Sequence, residues 1–233
     1  RTHVRVEHVF GMVACLAIPG FELRAALRSR PSLALQPAAL APPEGAEPLV
    51  GPVTATAHQA GVRPGMRMGE ALATCPKIVL VEPDQAGADR DWEEIVSRLE
   101  DHGFAVETAQ LGTAYYDTRG VERLYGGLEP ALKRALAAVG SHWDARVGAA
   151  TRRFAALAAA NVARPGQVLV VSDEHTQDFL APLPLRLLGL DERRREELEA
   201  LGVKKVGQLA GLPGAAVAER LGPDGRSAWG QAR

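Results

Sequence analysis

No strand-forming run occurs after residue 171, and this change of texture limits what the chain can fold into. Before it, short apolar runs closed by Gly and Pro alternate with segments of helical periodicity, the pattern of an α/β or α+β domain. Residues 12–18 (MVACLAI), stopped by Pro19-Gly20, predict a buried strand, and residues 21–30 a short helix. Residues 32–57 are rich in Pro, Ala and Leu and read as irregular and peripheral, with Leu49, Val50 and Val53 as candidate strand positions. A helix at 67–74, a strand at 78–81 and an amphipathic helix within 84–101 follow. Residues 104–106 and 114–116 read as paired strands separated by Gly112, and 129–139 as a helix. A strand at 146–150 runs into a helix at 151–162, whose Phe154, Leu157, Ala158 and Val162 share one face, before a strand at 168–171. From residue 174 the periodicity gives only short helices, at 176–181, 192–201, 206–212 and 215–221.

Charge and cysteine usage exclude several classes. Lys plus Arg number 27 against 28 Asp plus Glu, a net charge of −1, so this is not a protein whose whole surface grips nucleic acid. A local basic patch stays open. Cys15 and Cys75 are too few for a disulfide framework or a four-ligand zinc site, and they predict a reducing compartment. No apolar run approaches the roughly 20 residues of a membrane span. Residues 1–11, which precede Met12, read as a leader outside the fold. The seven acids and two bases of residues 84–101 read as a solvated helix face.

Four segments in order carry a resemblance. They are residues 61–76 (GVRPGMRMGEALATCP), 114–120 (AYYDTRG), 147–166 (VGAATRRFAALAAANVARPG), and 179–184 (FLAPLP) with 198–213 (LEALGVKKVGQLAGLP). Together they resemble the fingers, palm and thumb segments of the Y family of translesion DNA polymerases. The resemblance implies an α+β palm at 12–20 and 76–172 and a small fingers insertion at 21–75. It further implies an all-helical thumb with a helix-hairpin-helix at 173–233, and a missing little-finger domain.

The family performs nucleotidyl transfer with two divalent ions held by shared carboxylates about 3.5–4 Å apart. Its D-x-D-x-F-F strand aligns with residues 15–20 (CLAIPG), so Cys15 and Ala17 stand at the metal-binding positions and Gly20 at the sugar-discriminating aromatic. Its S-x-D-E turn aligns with residues 110–113 (QLGT), placing Gly112 and Thr113 at the other two carboxylates. Cys15 alone reads as a small buried hydrophobe. The family's triphosphate contacts fall at Ala55, His58 and Leu157, the last on an apolar helix face. Arg152 and Arg153 are candidate phosphate contacts, with Arg63 nearby, and His58 by itself reads as a solvated loop histidine. The resemblance therefore implies the inactive, ImuB-like branch: not an enzyme, without metal or cofactor. The alternative is an active nucleotidyltransferase using displaced carboxylates such as Glu107 and Asp117.

Residues 201–207 (LGVKKVG) read as a helix-hairpin-helix turn. Gly202, Val203, Lys204, Lys205 and Gly207 are its candidate DNA-binding residues, with backbone N–H groups offered to a phosphate and lysines adding charge. Residues 182–233 hold nine Lys/Arg and seven Asp/Glu, mildly basic and suited to weak DNA binding. The alternatives are a packing module that touches nothing and a plain DNA-binding module. Arg193, Arg194 and Arg195, set among acids, read as a salt-bridged surface helix. The resemblance implies a scaffold in damage-induced mutagenesis, cytoplasmic and nucleoid-associated. Its implied partners are an error-prone replicative-type DNA polymerase, a RecA-like accessory protein and the sliding clamp.

Overall fold

A computed structural model describes residues 11–233, so the leader expected at 1–11 lies, apart from Gly11, outside the described residues. In chain order the elements are β1 (Val13–Ala17), α1 (Phe21–Arg28), β2 (Ala38–Leu40), α2 (Ala55–Gln59), α3 (Met68–Thr74), β3 (Val79–Val81) and α4 (Gln85–Asp101). There follow β4 (Val106–Gln110), β5 (Thr113–Asp117), α5 (Arg119–Tyr125), α6 (Leu128–Val139), β6 (Arg146–Ala150), α7 (Arg153–Val162) and β7 (Val168–Val170). The chain closes with α8 (Thr176–Leu180), α9 (Glu192–Ala200), α10 (Val206–Ala210) and α11 (Gly214–Ala232). Strand order is β4-β5-β1-β6-β7 in one sheet and β2-β3 in another, an α+β arrangement. Among the described residues two compact units are present: residues 11–15, 116–133 and 146–233 in one, and residues 16–115 and 134–145 in the other.

The second of these units is built where apolar positions recur at helical spacing. Trp92, Ile95 and Leu99 of α4 are buried, and α1 packs against that helix. The Phe21 ring meets Trp92 edge-on at 5.4 Å between centroids and lies 4.9 Å from the Trp143 ring. Arg24 pairs with Asp144 at 2.8 Å and Arg28 pairs with Asp91, both at partly exposed positions. Residues 32–57 are less peripheral than their composition suggests. Ala38–Leu40 is a fully buried strand, paired in parallel with β3 in the register Ala38 to Val79. Two alanines and a leucine carry no strand signal of their own; buried packing and a threonine node set them there. The buried Thr54 hydroxyl accepts from Ala38 N (3.0 Å) and Ala57 N (3.3 Å) and donates to Gln36 O (2.8 Å). That one side chain anchors β2 and caps α2.

In the other unit β6, α7 and β7 form a parallel strand–helix–strand, with Val147 opposite Val168 and Ala149 opposite Val170. Phe154, Ala155, Ala156, Ala158, Ala159 and Ala160 make the buried face of α7. The face expected from periodicity is therefore rotated: Leu157 is only half-buried and Val162 is exposed. The cause is proximity. A Cβ placed on Gly148 of β6 would lie 2.1 Å from Ala156 O and 2.3 Å from Ala160 N, so strand and helix meet backbone to backbone. Large side chains are turned out of that seam. Residues 119–125 form a helix that the sequence pattern did not announce. The fully buried Thr118 precedes it, its N–H and hydroxyl donating to Met12 O at 3.1 and 3.0 Å.

Two glycine substitutions should separate space from backbone freedom. Gly148→Ala forces apart a helix and a strand and should cost about 1–3 kcal/mol or more. Gly69→Ala, on an exposed helical turn with nothing within 4 Å of the added carbon, should stabilise by about 0.4–1 kcal/mol. Urea unfolding of both variants measures this, and a neutral Gly148→Ala would show that α7 can withdraw from β6 without loss.

Candidate functional site

Cys15 and Ala17 alternate with Ala14 and Leu16 along β1, and all four are buried. The strand's end meets the β4–β5 turn: Ile18 N–H donates to Gly112 O at 2.7 Å. A Cβ on Gly112 would lie 2.6 Å from Phe21 Cβ and 2.9 Å from Ile18 O, and the residue has φ +76°. Both the left-handed backbone and the close approach require glycine here. Thr113 opens β5, half-buried. The metal fit can be tested on these groups. A thiol, a methyl group, a glycine with no room for a side chain and one hydroxyl do not suit hard divalent ions, which take oxygen ligands, chiefly carboxylates. Among the described residues no cluster of three or more His, Cys, Asp or Glu could hold a metal ion.

The two displaced carboxylates differ in setting. Glu107 is exposed on β4. Asp117 closes β5 and accepts from Arg119 N at 2.9 Å and from the Arg119 guanidinium at 3.0 Å. The guanidinium hydrogen bonds, with the Arg119 N–H, hold the Asp117 carboxyl below the usual carboxylate range. On the same strand, burial first and the Cys15 thiol second push the Tyr116 hydroxyl far above its ordinary value.

Ala55, His58 and Arg63 belong to the unit of residues 16–115, all exposed. Arg63 is tied down locally, its guanidinium donating to His58 O at 2.6 Å and Val62 O at 2.9 Å. Arg152, Arg153 and Leu157 belong to the other unit. Arg152 is the half-buried N-cap residue of α7, and Arg153 opens the helix on an exposed face.

The hairpin of residues 201–207 lies between α9 and α10. Lys204 and Lys205 are exposed, while Val203 and Val206 are buried beneath them. The N–H groups that the sequence offered to a phosphate are already used. Those of Lys204 and Lys205 donate to Gln208 Oε1 at 2.8 and 3.0 Å. Val206 N donates to Leu183 O at 2.8 Å and Gly207 N to Ala181 O at 3.1 Å. Backbone donation to a phosphate by these residues is therefore corrected: what the hairpin presents is lysine charge. Pro184 bridges Lys205 antiparallel, and Leu185 N lies 3.4 Å from Lys204 O. This places the turn carrying exposed Arg186 beside the two lysines. Sequence reading missed Arg186. Its signal was a lone cation inside the apolar run 183–190.

A sequence model described as the impB/mucB/samB family matches residues 17–161. A DNA polymerase IV of Pseudomonas entomophila is 27% identical over 210 residues, covering 89% of this chain and 59% of that protein. A DNA polymerase IV of Dehalococcoides mccartyi is 32% identical over 181 residues, covering 74% of this chain and 46% of that protein. The chain thus spans about half to three-fifths of the length of these relatives. DinB from Sulfolobus solfataricus superposes with a TM-score of 0.75 at 20% identity, covering 95% of this chain and 66% of that one. A Dbh ternary complex superposes at 0.72. The expectation that this chain is not an enzyme is corrected here, because the relatives at 27% and 32% identity carry the name of an enzyme.

The Asp117–Arg119 pair gives a pH-dependent test. Asp117 binds its proton less readily in the folded chain, so its stabilising contribution is full above its unfolded pKa of about 4 and disappears as pH falls through the lower folded value. In Arg119→Ala the Asp117 midpoint, followed by carboxyl NMR, should rise toward the ordinary range. The stability gap between the two proteins should close in acid. An unmoved midpoint would mean that Arg119 is not what holds Asp117 charged.

Proposed function

Because the chain belongs to the impB/mucB/samB family, we propose that it acts in translesion DNA synthesis, holding DNA through its C-terminal helices and positioning it for partner proteins. In this reading residues 12–20 and 76–172 are palm, 21–75 fingers and 173–233 thumb, the thumb holding the DNA-facing hairpin. The observation that carries it is the exposed trio of Arg186, on the turn of residues 185–188, and Lys204 and Lys205, on the adjoining hairpin whose backbone donors are internally satisfied. Three exposed cations beside a backbone whose donors are already used would meet phosphates by charge and carry no sequence information. The scaffold role and its partners rest on the family resemblance. Those partners are an error-prone replicative-type polymerase, a RecA-like protein and the sliding clamp.

A second reading, nucleotidyl transfer by displaced carboxylates, is favoured by the relatives' name of DNA polymerase IV. It requires Glu107 and Asp117 to serve as metal ligands, and Asp117 to leave Arg119. Primer extension with Mg²⁺ decides it. Extension abolished by Asp117→Asn or Glu107→Gln supports the reading, and extension no greater than a protein-free control removes it.

Fluorescence anisotropy with a labelled duplex at several salt concentrations tests the DNA contact. Each lysine that neutralises one phosphate adds about 0.9 to the log–log salt slope, so Lys204→Ala with Lys205→Ala should flatten it by up to about 2. Scrambling the duplex sequence should leave affinity unchanged. Equal slopes for the wild type and the double variant would remove the hairpin from the DNA contact.

A further inference from the structure

The last helix of the fold is two helices. Gly222, at φ +69° and ψ −156°, breaks α11 in a region of backbone space that only glycine occupies readily. Pro223 follows, disfavouring helical geometry at the residue before it and suiting the first turn of a new helix. Such a break orphans carbonyls of the preceding turn. One of them is claimed by a side chain from elsewhere: Arg194 Nε on α9 donates to Leu221 O at 3.2 Å. The same guanidinium pairs with Asp191 below it and, at 3.0 Å, with Asp224 beyond the break. Arg194 therefore touches both sides of the discontinuity.

The far end of the second helix is held by a different contact. Trp229 Nε1 donates to Leu212 O at 2.9 Å, and its ring lies against Gly214, where an added Cβ would be 2.8 Å away. Arg233 covers the outer side of that ring, its guanidinium carbon 4.7 Å from the centroid. Ala228 and Ala232 are buried beneath.

We propose that residues 223–232 form a hinged arm, pivoting at Gly222 and latched to the helical segment by Arg194 at the hinge and Trp229 at the tip. Arg194 is a positioning residue: it sets the angle at which the chain leaves α11, through one carbonyl and two carboxylates. Release of the arm frees the Leu212 carbonyl, which Trp229 Nε1 otherwise holds at the start of α11.

Hydrogen exchange read by mass spectrometry on the whole chain tests this. In Arg194→Met, which keeps the apolar stem, amides of residues 223–232 should exchange at least tenfold faster, while those of α10 keep their wild-type rates. Arg194→Lys should restore only part of the protection, since an ammonium can pair with Asp191 and Asp224 but cannot offer the planar fork. Faster exchange throughout the helical segment, or no change at all, overturns the latch. Gly222→Ala supplies a second reading should Arg194→Met unfold. Its added carbon has nothing within 4 Å, so it acts through the backbone alone. It should raise exchange in 223–232 and leave 192–210 unchanged, and unaltered exchange there would show that Gly222 is not the pivot.

Discussion

The strand–helix–strand of residues 146–170 depends on the contact between a strand backbone and a helix backbone. Gly148 lets α7 settle on β6 so closely that even one carbon would intrude within 2.1 Å of Ala156 O. The consequence runs through the helix composition. The buried face beside it is Ala155, Ala156, Ala158, Ala159 and Ala160 with Phe154 at one end, small side chains that suit so close an approach. Atoms packed at that range gain dispersion energy in place of large buried side chains. Parallel pairing of β6 with β7 then follows, since the short helix returns the chain to the same edge in register.

This explains which parts of the fold were legible in the sequence. Strands such as β1 and β6 announced themselves by apolar runs closed by Gly and Pro. Helices α4 and α6 did so by apolar positions at 3.6-residue spacing. The orientation of α7 was not legible, because an alanine-rich helix has too little hydrophobic contrast for periodicity to choose a face. Leu157 and Val162 looked like its core and are half-buried and exposed. β2 was hidden for a related reason: Ala38 and Ala39 have no strand preference, and their place is set by Thr54, sixteen residues away, whose hydroxyl accepts from Ala38 N.

The hairpin shows a second limit. Its position and its lysines were readable from Gly202, Lys204, Lys205 and Gly207, because turn glycines and exposed cations carry local signals. The fate of its N–H groups was not, because acceptors come from Leu183, Ala181 and the Gln208 side chain. A backbone donor already satisfied gains little by turning to a phosphate, since one hydrogen bond is exchanged for another. In the proposed DNA contact, recognition would therefore pass to side chains. Lysines are flexible, strongly hydrated point charges, while Arg186 brings a planar fork that can meet two phosphate oxygens.

At the β1 end the same logic of close approach decides the chemistry. Gly112 is fixed by Phe21 and Ile18, and its carbonyl is spent on Ile18 N–H, so the turn is held by backbone contact rather than by a side chain reaching toward a ligand. Cys15 and Ala17 are buried on a strand whose burial is nearly continuous. A carboxylate placed at either position would need partners for its charge in an apolar interior, and burying it unpaired would push its pKa upward until it neutralised. At the opposite end of β5, where Thr118 meets Met12, Asp117 has the opposite electrostatics: the hydrogen bonds of Arg119 favour its ionised form. For it to serve any cation, that cation must displace a guanidinium holding the carboxylate through both oxygens. The pair is exposed, and exposed ion pairs are individually weak, so what Arg119 sets at this end of β5 is the orientation and charge state of the carboxylate that a cation would meet.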